Sequence, residues 1–155
     1  MGTNIDGIRI KSIACTVPKR KLSLMEYAPD LFNEKSAKRM AKGTGFSNLR
    51  ISDENTTTAD LCMVAAEKIF SDIDTKSIGA LVFVTQTPDY ILPATSHVLQ
   101  DRLGLRNDIV CMDINEGCSG YVTGVFVSAM LAKQLNTKVC LLGGGHSFQA
   151  YLACG

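Results

Sequence analysis

The sequence predicts an α/β fold in which helices cover a mostly parallel sheet, and three observations support this. Short apolar runs alternate along the chain with segments of helical periodicity. The inner runs, at 78–85, 109–114 and 138–142, are apolar on both faces, as buried parallel strands are. Right-handed crossover connections between such strands place the helices on the faces of the sheet.

The first part of the chain predicts one strand and two short helices. Residues 8–15 alternate apolar and polar side chains, which is typical of a strand, and Pro18 ends it. Ser23 is placed to cap a helix that reaches about residue 32. Residues 33–42 predict a second, polar helix that ends at a glycine pair, and its basic side chains are expected to form a solvated face.

The strongest helix signal lies at residues 56–73. Thr57 and Asp60 have the spacing of a capping box, and apolar residues recur on one face after them. The apolar strand 78–85 follows, then a loop that contains Pro88 and Pro93 and a helix at 94–103.

The last part predicts a strand, a helix and a strand. The strand is 109–114, and residues 115–117 interrupt it. From Cys118 onward the apolar residues recur at helical spacing, and the strand 138–142 closes on three glycines.

Composition excludes several classes of protein. Of the 155 residues, 46% are hydrophobic and 20% are charged, so the chain is globular rather than disordered. The net charge of +1 gives no reason to expect nucleic acid or an anionic membrane as a partner. No apolar run approaches membrane-spanning length, and no basic and apolar leader opens the chain. Six cysteines without a Cys-x-x-Cys spacing indicate reduced thiols, so we expect a cytoplasmic protein without structural disulfides or zinc.

Cys118 is the candidate catalytic residue because it stands where a strand gives way to a helix. We place it on the first turn of that helix, where unpaired backbone N–H groups favour a thiolate. Gly117, Ser119 and Gly120 leave room beside the sulfur for a substrate carbonyl. This pattern is typical of an acyl-accepting nucleophile, although a cysteine that only packs would fit the same local pattern.

The remaining chemistry-bearing residues predict no second site. Apolar surroundings favour core or inert roles for the other cysteines, which are Cys15, Cys62, Cys111, Cys140 and Cys154. Residues 143–145 match neither a dinucleotide fingerprint nor a P-loop. His97 is expected to face solvent or to pack, and no group of residues predicts a metal site or a cofactor site.

Four segments, in this order, resemble the N-terminal half of β-ketoacyl-acyl-carrier-protein synthase III, a family of the thiolase superfamily. They are Gly43-Thr-Gly-Phe46 with Arg50-Ile51, Asp53-Glu-Asn-Thr-Thr57, Thr85-Gln-Thr-Pro-Asp-Tyr90 with its continuation to Gly104, and Asp113 to Gly120. The resemblance covers residues 5–144, and in the fourth segment Cys118 stands at the position of the family's nucleophile.

The resemblance implies a thiolase-like half-domain and a specific reaction. Cys118 would take an acyl group from acyl-CoA, which is a substrate and not a cofactor. Malonyl-acyl carrier protein would then lose carbon dioxide, and its carbanion would attack the thioester, which starts a fatty acid chain. A His and an Asn of the family's C-terminal half assist that step, and backbone N–H groups, including that of the cysteine, form the oxyanion hole. The family is homodimeric.

Three departures from the family pattern qualify this reading. The chain contains no Trp, and Gly43 stands where common members have an Arg beside the CoA adenine. Leu92 takes the position of the acyl-pocket gate, which suggests an altered acyl preference. Glu116 replaces a small residue and would oppose thiolate formation if it faced the sulfur; we expect it to face outward.

Two other functions stay open from the sequence. One is a related acyltransferase of polysaccharide or secondary-metabolite biosynthesis, which would pass the acyl group from the same cysteine to a different acceptor. The other is an inert remnant or a binding module. Because the His and Asn belong to the C-terminal half, we expect the chain as given to be truncated and inactive in condensation.

We assign residues 1–144 to the half-domain and residues 145–155 to an atypical tail. The tail has no period and no family resemblance, so we expect His146 and Cys154 to have no evolved role. Codons can be chosen for it that, read one base later, encode a segment beginning Asp-Ile-Leu-Ser-Lys, as the family has at this point. We therefore expect an out-of-frame tail, with the missing half following in the shifted frame of the gene.

Overall fold

The computed structural model describes residues 4–145 with their side chains and residues 148–154 as backbone. The chain divides into two compact units, one formed by Val17–Thr56 and the other by Met1–Thr16 together with Thr57–Gly155. The prediction of an α/β fold with a helix-covered sheet is confirmed. The described residues contain no helix long and apolar enough to cross a membrane.

The smaller unit consists of two short helices and a two-stranded sheet. Strand β2 (Arg20–Ser23) pairs antiparallel with β3 (Asn48–Ile51), and helices α1 (Leu24–Tyr27) and α2 (Glu34–Thr44) lie between them in the chain. Ser23 caps α1 through a capping box with Glu26, as its position suggested.

The sequence analysis was wrong on two boundaries in this unit and missed its strands. Helix α1 ends at Tyr27 rather than near residue 32 because Pro29 disfavours helical backbone at Ala28. Helix α2 runs through Gly43 to Thr44, and Gly45, which has a left-handed φ of 78°, caps it. Strands β2 and β3 are four residues each and rich in polar side chains, so the apolar pattern did not reveal them.

The larger unit contains a five-stranded sheet. Its strands are β1 (Ile10–Cys15), β4 (Ile78–Val84), β5 (Val110–Ile114), β6 (Lys138–Gly145) and β7 (Phe148–Cys154), in the spatial order β1-β7-β6-β4-β5. Strands β6, β4 and β5 are parallel, and β7 is antiparallel to both β6 and β1. Four of the five strands therefore point the same way.

Helices cover both faces of this sheet. Strand β4 turns Leu81 and Phe83 toward the face on which α3 (Thr58–Phe70) and α4 (Thr95–Arg102) pack. It turns Ala80, Val82 and Val84 toward α5 (Gly120–Leu135) on the opposite face. Because successive side chains of β4 point to opposite faces and both faces are covered by helices, β4 has to be apolar throughout.

Helix α3 begins at the capping box that the sequence predicted. Thr57 and Asp60 exchange their hydrogen bonds, and Arg102 of α4 forms an ion pair with Asp60 at 2.7 Å. Burial raises the pKa of the Asp60 carboxyl, but the hydrogen bonds from Thr57 and Arg102 outweigh it and hold the pKa below its ordinary value. The start of α3 is thereby tied to the end of α4.

Helix α5, which the apolar spacing predicted, makes its closest contacts with the sheet through small residues. Its sheet-facing residues are small and spaced by four, namely Gly120, Gly124, Ser128 and Ala132. A β-carbon at Gly124 would lie 2.8 Å from Val84 Cγ2 and 3.0 Å from Leu141 Cδ1, so the absent side chain lets the helix approach the sheet closely. Three further apolar residues of α5, Val125, Val127 and Leu131, are partly buried against the same core. Four large apolar residues are exposed: Tyr121, Val122, Phe126 and Met130. We call these four residues the outer face of α5.

The tail also contains a strand that the sequence analysis did not predict. The sequence analysis found no strand pattern after residue 145, whereas the backbone of Phe148–Cys154 is strand β7 between β1 and β6. The proposed tail boundary also falls inside β6, which continues to Gly145. His146 and the side chain of Cys154 lie outside the described residues, and the out-of-frame origin of the tail stays a prediction.

Candidate active site

The candidate site lies at the carboxyl ends of the parallel strands β4 and β5. The Thr85 N–H at the end of β4 donates to the Ile114 carbonyl at the end of β5, at 3.1 Å. The segments that follow these two strands therefore leave the sheet side by side, one toward Leu92 and the other toward Cys118. This is the edge at which open α/β sheets carry their sites.

Cys118 is exposed in the turn between β5 and α5. The expectation that it lies on the first helical turn is wrong by two positions, because Ser119 is the N-cap residue and the helix begins at Gly120. The Gly120 N–H donates to the Gly117 carbonyl at 2.9 Å, which closes the turn around Cys118. The thiol thus stands just outside the helix N-terminus.

Close packing beneath the turn requires glycine. A β-carbon at Gly120 would lie 2.6 Å from Val84 Cγ1, closer than real contacts allow. Gly120 and Gly124 therefore allow the start of α5 to pack directly on β4. This packing fixes the position of the Cys118 turn relative to the sheet.

Glu116 does not stand free beside the thiol. Its Oε2 accepts a hydrogen bond from Thr123 Oγ1 at 2.8 Å and a weaker one from Ser119 Oγ at 3.4 Å. The sequence predicted an outward-facing carboxylate; the structure shows one bound to the first turns of α5, where a negative charge is favoured.

The backbone N–H groups of the turn are available to a ligand. Among the residues that the structure describes, the N–H groups of Cys118 and Ser119 have no hydrogen-bond acceptor. Donors of this kind, fixed in place next to a nucleophile, can stabilise negative charge on a carbonyl oxygen.

Asp113 connects the two segments of the site. It lies on β5, five residues before Cys118, and its two carboxylate oxygens accept the N–H groups of Thr95 and Ser96 at 2.8 Å each. These N–H groups begin helix α4 directly after the loop that carries Leu92. Thr95 Oγ1 in turn accepts the Tyr90 N–H at 3.1 Å, which closes the loop.

Leu92, the predicted acyl-pocket gate, is exposed near the tip of that loop. The residue is 90% accessible, and the peptide bond between it and Pro93 is cis. Its assignment to an acyl pocket stays a prediction.

The other cysteines differ in accessibility. Cys62 and Cys140 are buried in the core, as expected. Cys111 is half-buried, and burial together with the neighbouring Asp113 carboxylate raises the pKa of its thiol. Cys15, which the sequence assigned to the core or to an inert role, is exposed. It lies with residues 11 and 13 on the more accessible side of β1, whereas residues 12 and 14 are half-buried.

The sequence analysis gave no role to Gln86, although its motif was recognised. Gln86 follows Thr85 directly and its amide packs on Gly117, the residue before Cys118. The signal that could have found it is its place two residues beyond the end of β4, at the carboxyl edge of the sheet. Among the described side chains, no group of three or more His, Cys, Asp or Glu residues is arranged to hold a metal ion.

No family model matches the sequence. The chain is 34% identical over 148 residues to a Campylobacter jejuni protein named as a 3-oxoacyl-[acyl-carrier-protein] synthase 3, covering 93% of this chain and 42% of the relative. It is 30% identical over 142 residues to the β-ketoacyl-[acyl-carrier-protein] synthase III of Syntrophomonas wolfei, covering 88% of this chain and 41% of the relative.

A solved structure of a protein with a similar name has the same fold. The crystal structure of a 3-oxoacyl-(acyl-carrier protein) synthase from Burkholderia xenovorans superposes with a TM-score of 0.88 at 29% identity, over 97% of this chain and 48% of that chain. The chain therefore spans less than half the length of the relatives it matches. In sequence and in fold the chain resembles the N-terminal part of β-ketoacyl-acyl-carrier-protein synthase III.

Proposed function

We propose that Cys118 is the acyl-accepting nucleophile of a decarboxylating condensing enzyme that starts fatty acid chains in the cytoplasm. The observation that supports this most directly is the exposed thiol in the turn between β5 and α5, beside backbone N–H groups that have no acceptor among the described residues. The donor is an acyl-CoA, and the acceptor in the complete enzyme is malonyl-acyl carrier protein.

The acyl transfer needs only groups that this turn supplies. The Cys118 thiolate attacks the carbonyl carbon of the acyl-CoA thioester, and the Cys118 N–H stabilises the resulting oxyanion. The bond from the carbonyl carbon to the CoA sulfur then breaks, and the CoA thiolate leaves and takes up a proton. The product is an acyl thioester on Cys118.

A related acyltransferase is the second candidate, and one observation favours keeping it. The chain has no Trp, and Gly43 lies within helix α2 where common members of the family have an Arg. A different acceptor, such as a hydroxyl group of a polysaccharide or secondary metabolite, would use the same acylated cysteine. Acceptor assays on the acylated protein distinguish the two candidates.

We expect the chain of 155 residues to take up an acyl group without condensing it. Decarboxylation needs the His and Asn that the family carries in its C-terminal half, and acid–base groups of this kind contribute about 10²–10⁴-fold. Incubation with butyryl-CoA should add one butyryl group to the intact mass, and malonyl-acyl carrier protein should give no ketoacyl product.

Two outcomes would contradict this account. A protein that stays unmodified while a small alkylating reagent still reacts with Cys118 would argue against acyl transfer. Ketoacyl product formed at rates typical of a complete enzyme would argue against a need for the second half.

We also propose that the chain forms homodimers through the outer face of α5. This face exposes four large apolar side chains in a row, an arrangement that water solvates poorly. Sedimentation velocity should show association that increases with concentration, and Phe126→Glu should shift it toward monomer. Val64→Glu, at an exposed apolar position on α3, is the matched control. A clean monomer at high concentration, or an equal effect of both variants, would contradict the proposal.

A further inference from the structure

Helix α5 begins without the capping box that starts helices α1, α2 and α3. In each of those three helices the N-cap side chain accepts a backbone N–H group of the first turn. The N-cap residue of α5, Ser119, makes no such bond, and its backbone is already helical, with φ −73° and ψ −19°. The N-cap side chain therefore does not fix the turn that carries Cys118.

Glu116 ties the two ends of this turn together instead. Its N–H donates to the Ile114 carbonyl at the end of β5 at 3.2 Å, and its Oε2 accepts the Thr123 hydroxyl of α5 at 2.8 Å. The Ser119 hydroxyl donates to the same oxygen at 3.4 Å. Hydrogen bonds to an ionised acceptor are roughly twice as strong as neutral ones. One half-buried carboxylate thus holds residues 117–119 between the strand and the helix.

This arrangement leaves the backbone N–H groups of the turn available to a ligand. At the start of α4 the Asp113 carboxylate accepts two backbone N–H groups and so occupies them. Glu116 binds two hydroxyl groups, and the N–H groups of Cys118 and Ser119 have no acceptor among residues 4–145. A charged side chain therefore fixes the turn without filling the place where an oxyanion would be stabilised.

We propose that Glu116 is a positioning residue for Cys118. Its carboxylate holds the turn through the Thr123 and Ser119 hydroxyl groups, so that the thiol and the N–H donors keep one relative position in which both meet the acyl carbonyl. Glu116 replaces the small residue of the family pattern, so this device belongs to this chain. The inference rests on the proposed acylation of Cys118 and adds to it the residue that orders the turn.

The test compares two reactions of the same thiol. Butyryl transfer from the butyryl thioester of N-acetylcysteamine needs the thiolate and an oxyanion donor, whereas alkylation by iodoacetamide needs only the thiolate. The ratio of the two rates at Cys118, measured by peptide mapping, therefore reports on the donors and cancels any change in the amount of thiolate.

The variants remove either side of the tie. Thr123→Val removes the hydroxyl donor, Glu116→Ala removes the acceptor, and Glu116→Gln keeps an amide oxygen that can accept the same bond. Thr137→Val is the matched control, because it also removes a hydroxyl group that donates a hydrogen bond, to the Ser77 carbonyl at 3.0 Å, but beyond the far end of α5.

Thr123→Val and Glu116→Ala should each lower the ratio of acylation to alkylation by about tenfold, part of the roughly 10²-fold that loss of one oxyanion donor costs. The double variant should lower it no further, because both changes remove the same interaction. Glu116→Gln should recover most of the loss, and Thr137→Val should keep the wild-type ratio.

An unchanged ratio in Glu116→Ala, or an equal loss in Thr137→Val, overturns the assignment of Glu116 alone. Glu116→Ala against Glu116→Gln decides the question even where Thr123→Val does not fold. A wild-type protein that reacts with iodoacetamide at Cys118 but takes up no butyryl group overturns the assignment together with the proposed function.

Discussion

Replacing Asp113 with alanine is expected to destabilise the larger unit by about 2–4 kcal/mol. The carboxylate accepts two backbone N–H groups of helix α4 in a partly buried position, and hydrogen bonds to a charged group contribute about 1.5–3 kcal/mol each. Without them the α4 N–H groups lose their acceptors and the loop before α4 loses its anchor. Urea unfolding followed by circular dichroism measures the loss.

Asp101→Ala is the matched control for this variant. Asp101 is exposed on α4, and its carboxylate forms no hydrogen bond with the described residues. Its removal should change the free energy of unfolding by no more than about 0.5 kcal/mol. Equal effects of the two substitutions would show that Asp113 does not anchor α4.

Gly124→Ala is expected to destabilise the protein, although alanine is the better helix former. Its β-carbon would lie 2.8 Å from Val84 Cγ2, and overpacking of this kind costs about 1–3 kcal/mol. The same substitution at Gly43 of α2 meets nothing within 4 Å and should gain up to about 1 kcal/mol of helix propensity.

Chemical denaturation of both glycine variants gives the comparison. We predict that the same added methyl group lowers the free energy of unfolding at Gly124 and raises it at Gly43. A stabilising effect at Gly124 would mean that α5 does not pack closely on the sheet.

The sequence predicted the elements whose pattern is carried by side chains in the core. The unbroken apolar run of β4 identified a central strand, and the spacing of Thr57 and Asp60 identified the start of α3. Both signals are local, and tertiary packing reinforces them.

Helix α5 shows why other features could not be predicted. The apolar spacing that predicted the helix includes Tyr121 and Phe126, which are exposed, whereas the closest packing on the sheet depends on the small residues Gly120 and Gly124. A pattern of apolar side chains cannot identify the packed side of a helix when that side consists of glycines and other small residues. Similarly, the strands β2 and β3 are too short and too polar to show the alternation of apolar and polar residues that identifies a strand.

The candidate site was predicted in part for a similar reason. The Cys118 motif is contiguous and was visible in the sequence. The contact of Gln86 with Gly117 joins residues that follow two different strands, and it needs the register of β4 against β5, which the sequence does not contain. The anchoring of α4 by Asp113 is non-local in the same way.

The identity of the thiol that takes the acyl group is the central claim. Cys15 provides an internal comparison, because it is also exposed but lies in a strand rather than in a glycine turn before a helix. The direct measurement is a peptide map after reaction with a limiting amount of butyryl-CoA. The account predicts that the butyryl group is found on Cys118, and that Cys118→Ala abolishes the modification. Butyryl groups on Cys15, or divided between the two thiols, would contradict it.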